Sequence, residues 1–289
     1  MITLQSETLK AVIHPLGAEL QELSHRTTGR NFLWSGDPAY WWKFSPVLFP
    51  IVGTLKNGQY SINGSAYELP RHGFAREKEF TANQISECEA IFTLCEDAST
   101  LEVYPFRFEL SIRYILSENQ LTVTYSVINT DEQPIWFCLG AHPAFAVPLA
   151  DGLGYDDYTL RFNTPETTGR YGLQEGLLLN DTAPLLNDET DLPLSTELFA
   201  RDAIVLKGLH SNSISLVSAK HPAGWTFDFS GWPHLGIWAA KGAPFVCIEP
   251  WQGHADTVDH DGDFTKKEGV VELGVGERWE REWRLEIRD

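Results

Sequence analysis

The sequence predicts an all-β fold, an antiparallel sandwich with few short helices, and three observations carry the prediction. Apolar and polar residues alternate over many short stretches, turn residues recur between those stretches, and no long amphipathic helix stands out. Alternation gives a strand one buried and one wet face, as antiparallel sheets have, whereas parallel sheets need crossover helices.

The elements follow in order. Asp37-Pro38 offers an N-cap and a first-turn proline, which predicts a short helix through Phe44. Tyr60 to Tyr67 contains Asn63-Gly64, the pair that suits a tight primed turn, and reads as a hairpin. Phe108, Leu110, Ile112 and Tyr114 alternate with Glu109, Ser111 and Arg113, and Leu121, Val123, Tyr125 and Val127 repeat the pattern. Pro165 to Pro193 is polar and turn-rich. Strand-like text continues on both sides of it, so a long excursion within one domain is expected rather than a linker. Ser195 to Ala200 predicts a second short helix. Trp225, Phe227 and Phe229 alternate again, and Trp283, Leu285 and Ile287 close the chain against Glu282, Arg284, Glu286 and Arg288. All-β sandwiches reach this length undivided, so residues 1–289 are expected to form a single domain.

Composition excludes several functions. Forty acidic residues against 22 Lys and Arg give a net charge of -18, which repels a phosphate backbone, so no nucleic-acid partner is expected. No apolar run nears the roughly 18 residues that span a bilayer, and Met1 to Lys10 lacks a charged start followed by an apolar stretch. A soluble cytoplasmic protein, monomer or homodimer, is expected. Cys88, Cys95, Cys138 and Cys247 contain no Cys-x-x-Cys pair, so buried free thiols are expected, with neither disulfide nor zinc site.

Two segments carry the chemistry. Gly-Ala-His142-Pro143 and Cys-Ile-Glu249-Pro250-Trp251 each set one proton-transfer side chain before a proline, which holds the preceding residue on extended backbone. His-Pro also occurs at His14 and His221, but only His142 follows a buried-strand pattern ending in small residues, Trp136 to Ala141. Glu249 is the lone charge in an apolar strand, where a carboxylate needs a partner or a wet cleft. The competing readings are a hydrogen-bonded structural histidine and a structural salt bridge. Trp232, Trp238 and Trp251 offer flat faces suited to a sugar ring, although most of the ten tryptophans must be core. Arg71-His72-Gly73-Phe74-Ala75-Arg76 reads, on residues alone, as an exposed turn.

His72-Gly-Phe-Ala-Arg76, Gly-Ala-His142-Pro and Ile-Glu249-Pro-Trp, in this order, resemble the aldose 1-epimerase (galactose mutarotase-like) family, and its LacX-like branch in particular. Pro46 to Gly53 and Leu235-Gly-Ile-Trp238 extend the resemblance along most of the chain. It implies a β-supersandwich with a sugar cleft, Glu249 as general base, His142 as general acid, and His72 and Arg76 bonded to sugar hydroxyls. Asp202 looks like the family carboxylate that binds the sugar. The reaction needs neither metal nor redox cofactor, and the expected substrate is a free aldohexose. Relatives acting on hexose 6-phosphates carry Arg-Gly-Gly before Pro-Leu-Phe-Pro, where this chain reads Trp42-Lys43-Phe44-Ser45-Pro46; Lys43, Lys56, Arg71 and Arg76 keep a phosphorylated substrate as the alternative. A carbohydrate-binding protein without catalysis is the competing class. A glycoside hydrolase usually needs a second carboxylate at the bond. The acidic stretch His254 to Asp263 lacks the EF-hand's closing glutamate and is expected to be a solvated loop near the cleft.

Overall fold

The computed structural model describes residues 1–289. Fifteen strands share one sheet. Along it, Val47–Leu48 pairs with Leu139–Ala141, which pairs with Phe245–Gln252, followed by His234–Trp238, Ile204–Lys207 and Thr159–Gln174. Ser213–Val217, Gly224–Asp228, Arg278–Arg288, Gln120–Asn129, Phe108–Ser117, Glu89–Cys95 and Thr81–Gln84 continue the order, and off this path Ala144–Ala146 pairs with Phe245–Gln252 and Leu177–Pro193 with Thr159–Gln174. A three-stranded sheet is formed by Ile2–Gln5, Leu9–His14 and Glu19–His25.

A sheet this wide buries its apolar face by packing one half against the other. Phe145, beside the Phe245–Gln252 strand, meets Trp225 of the Gly224–Asp228 strand at 4.6 Å between ring centres, and Phe227 stacks on Trp283 at 5.0 Å. A buried core of 65 residues runs from Leu4 to Ile287. The all-β sandwich is therefore present, and the alternating segments form strands whose apolar residues point inward. Asn63 and Gly64 both have positive φ, +50° and +80°, at the tip of the expected hairpin.

Two predicted helices are absent. Asp37 begins a turn, its Oδ1 accepting from the Ala39 N–H, but buried Glu19 takes the N–H groups of Phe44 and Ser45 and holds that end of the segment out of a helix. Ser195 to Ala200 forms only i to i+3 turns; Arg170 takes the Leu198 carbonyl inside the segment and those of Asp202 and Ala203 just beyond it, tying the segment to the long hairpin. The one α-helix is Ala98–Val103, opened by Asp97 and Thr100 in a reciprocal capping box. All four cysteines are free, yet only Cys138 and Cys247 are buried; Cys95 ends its strand on the wet face. Pro165 to Pro193 lies in a long hairpin, Thr159–Gln174 with Leu177–Pro193, whose register slips at several bulges. No helix is long and apolar enough to cross a membrane.

Candidate active site

Glu249 lies on the central strand Phe245–Gln252, where alternation sends Val246 and Ile248 into the core and Phe245, Cys247, Glu249 and Trp251 to the opposite face. Its neighbour on one side is interrupted. Leu139–Ala141 pairs through Gly140↔Trp251 and Ala144–Ala146 through Ala144↔Cys247, the same register before and after the break. That register sets His142 opposite Glu249, and a cross-strand pair shares one face of a sheet. Each is followed by a proline without an N–H, so the ladder opens where the two side chains meet. His142 Nε2 stands 3.2 Å from Glu249 Oε2.

Both groups are buried, 8% and 2% exposed, which decides their charge. Burial above all, opposed by a hydrogen bond to its own backbone and reinforced by the guanidinium groups of Arg71 and Arg76, lowers the His142 pKa to about 3. Burial likewise drives Glu249 well above the ordinary carboxylate range; Arg71 opposes that shift and Asp202 adds to it. Both shifts favour the uncharged forms, a carboxyl group beside a neutral imidazole, over the ion pair. The two charges closest in effect on His142 are cations, and the protein's acidic surplus does not reach it.

Around the pair is a cleft of about 320 Å³. It is lined by all six residues singled out from the sequence, His142, Glu249, His72, Arg76, Asp202 and Trp238. His72 is buried and left-handed (φ +70°), with its Nδ1 facing the Gly53 N–H at 3.1 Å and its Nε2 facing the Arg71 Nε–H at 3.2 Å. The turn that carries it is not the exposed one its residues suggest. Gly73 makes the turn possible, since a Cβ there would lie 2.3 Å from the Phe49 carbonyl oxygen. Arg76 Nη2 donates to the Arg71 carbonyl, while its buried Nε has no hydrogen-bond partner. Asp202 reaches the cleft from a strained turn (φ +76°), with Oδ1 bonded to the Ala203 N–H. Trp238 meets the His142 ring edge-on at 5.7 Å.

Other expectations part company with the structure. Lys43 is bound by Glu77 and Lys56 by the His260 carbonyl, so neither lines the cleft and only Arg71 and Arg76 remain there as cations. Trp232 is core, its indole N–H given to the Glu282 carbonyl. The acidic stretch is not wholly solvated: His254 and Ala255 line the cleft and Asp256 is buried against Lys267, while Asp259 and Asp261 are exposed. His14 and His221, the other His-Pro residues, accept the N–H two residues on and serve as turn braces.

Sequence reasoning missed Trp41, which stacks on His142 at 4.9 Å and 30° and screens it from water. The run Tyr40-Trp41-Trp42 beside a helix that does not form was the available signal. It also missed Leu173, Gly176 and Leu178, delivered to the cleft by the tip of the long hairpin.

A comparison with family profiles supplies the decisive observation: the aldose 1-epimerase family model matches residues 1–272. The chain belongs to the aldose 1-epimerase family. Protein LacX (chromosomal) of Lactococcus lactis subsp. lactis is 33% identical over 282 residues, 94% of each chain. Among solved structures, a galactose mutarotase related enzyme from Lactobacillus acidophilus superposes with a TM-score of 0.95 at 33% identity, covering 100% of this chain and 97% of that one. A galactose mutarotase-like protein from Lactobacillus casei ATCC 334 gives 0.92 at 31%, covering all of both chains. As an aldose 1-epimerase family member, the chain has the mutarotase-like β-sandwich as its fold and a carbohydrate epimerase activity, in the isomerase class, as the function its relatives support.

Proposed function

We propose that this protein is a cofactor-independent aldose 1-epimerase, one domain over residues 1–289, that interconverts the α and β anomers of a free aldohexose. The observation that carries the reading is the His142–Glu249 contact at 3.2 Å in a cleft flanked by Trp238 and Trp251. Mutarotation requires one proton to leave the anomeric hydroxyl and one to reach the ring oxygen, and a pair holding a single proton does both.

The proton count closes. With the sugar bound as a ring, the shared proton moves from Glu249 to His142 Nε2, leaving a carboxylate for the anomeric hydroxyl. Glu249 takes the hydroxyl proton, His142 gives its proton to the ring oxygen, the C1–O5 bond breaks and the C1 aldehyde forms. The pair has then returned to its resting form, protonated Glu249 and neutral His142. Rotation about C1–C2 presents the other aldehyde face, and the same transfers in reverse close the ring. Arg71 and Arg76 supply donors for sugar oxygens, His72 lines the same cleft, and Trp238 and Trp251 give it an apolar wall. A positioned acid and base each contribute about 10² to 10⁴-fold, enough for a reaction that water already performs slowly.

One observation favours a second reading, a sugar 6-phosphate. Arg71 and Arg76 both line the cleft, and Arg76 keeps a buried Nε without a hydrogen-bond partner. Exchange NMR on glucose, galactose and their 6-phosphates separates the two: faster α–β exchange of the free sugars supports the first reading, acceleration of the phosphates alone supports the second, and acceleration of none removes both.

A further inference from the structure

The proposed mechanism leaves one buried nucleophilic side chain beside its pair unused. Cys247 precedes Glu249 by two residues on the same strand face and lies opposite Ala144, one pairing position from the break that admits His142. Ligating atoms of His142, Cys247 and Glu249 all lie within 4.8 Å of one another, and all three residues are buried. We infer that these three side chains form an inhibitory binding site for a thiophilic divalent cation, zinc above all, at the floor of the cleft.

Imidazole, thiolate and carboxylate are the ligand types zinc prefers, and three protein ligands with one open position is the arrangement of an accessible zinc centre. The 3.2 Å between His142 Nε2 and Glu249 Oε2 is close to the edge of a tetrahedron with bonds of about 2.0–2.1 Å, roughly 3.4 Å. Binding releases the protons of the Cys247 thiol and the Glu249 carboxyl to solvent; the two anionic ligands so formed offset the charge of one dication, so the complex adds no net charge to a buried place, and they counter the repulsion from Arg71 and Arg76. His142 and Glu249 line the sugar cleft, with Cys247 buried behind them, so an ion reaches the three from the cleft side. A cation held on Nε2 and Oε2 occupies the atoms between which the shared proton moves, so it blocks proton transfer and competes with the sugar. The protein needs no such cation for the reaction proposed above; the site is a means of turning the pair off.

Zinc chloride titrated into the full-length chain without sugar, followed by calorimetry and by competition with a chromophoric chelator, tests the site. One equivalent should bind, Cys247→Ala should weaken binding by at least about 100-fold, and Cys138→Ala, which removes the other buried thiol, should change nothing. Cobalt should give a thiolate-to-metal absorption band in the parent chain and none in Cys247→Ala. If Cys247→Ala folds poorly, Cys247→Ser preserves the volume and should lose the same band. Anomerisation by Cys247→Ala should persist at near parental rate and resist zinc. Equal zinc affinity in parent and Cys247→Ala, no stoichiometric complex in the parent, or a cobalt complex without the band overturns the inference. Binding is read without sugar, so this failure and a failure of the epimerase reading are distinct results.

Discussion

At the scale of single residues, the proton shared by His142 and Glu249 determines the behaviour of the site. The pair is productive while it holds one proton, so activity falls only when His142 gains a second or Glu249 loses its own. Burial lowers the first event to about 3 and moves the second well above the ordinary glutamate range. We therefore expect kcat/KM to stay level from roughly pH 5 through the ordinary histidine value of 6.5. A steady loss as pH rises through the ordinary histidine value would instead indicate a solvated imidazolium acid. Trp41 maintains the dry setting of His142. Trp41→Ala admits water, raises the His142 pKa and moves the acidic limb of the profile upward, with a rate loss of about 10-fold; an unmoved limb would show that the stacking is incidental. The residue types of this chemistry were legible, because a charge in an apolar strand and a histidine after small residues stand out in the text. Their resting protonation was not, since it depends on burial and on two guanidinium groups brought in from Arg71 and Arg76.

At the scale of elements, the site is a gap in a ladder. Leu139–Ala141 and Ala144–Ala146 hold one register against Phe245–Gln252, and the two X-Pro pairs face each other between them. The prolines could be read from the sequence, but their alignment could not, because register is a property of paired strands. Trp251 lies across Gly140 and Gly236, where an added Cβ would approach its ring to 2.7 and 2.4 Å. Gly236→Ala therefore pushes the indole into the cleft, and we expect KM to rise about 10-fold with a stability cost of ~1–3 kcal/mol. Unaltered sugar kinetics in this variant would mean that the ring does not shape the cleft. The two helices that fail meet long-range partners, Glu19 and Arg170, that local text cannot reveal. The capping box of Asp97 and Thr100 was readable and was passed over, because a six-residue helix carries too little periodicity to register.

At the scale of the whole molecule, alternation was enough to establish the all-β sandwich, whereas the order of its fifteen strands comes from pairings between distant segments. The fold bears a cost for its site. Burial favours the protonated form of Glu249 in the folded chain, whereas the unfolded chain has it ionised at neutral pH. A carboxyl whose folded pKa is raised contributes stability below its unfolded value, near 4.5, and that contribution is lost as pH rises toward the folded value. Gln cannot ionise and still donates to His142 Nε2. Glu249→Gln should accordingly raise Tm by about 2–6 °C at pH 8, with the gain shrinking toward pH 4.5; a variant less stable at pH 8 would mean that the carboxylate is favourably held.

His142 and Glu249 act as a single acid–base unit, so the two residues should fail together rather than independently. The most direct test is the rate of α–β exchange of an accelerated aldose, followed by NMR in the parent chain, Glu249→Gln, His142→Asn and the double variant, with sugar binding measured alongside. The account predicts that each single change lowers kcat by at least about 100-fold with binding retained, and that the double variant is little slower than either. Parental rates in Glu249→Gln or His142→Asn, or losses that multiply in the double variant, would contradict it.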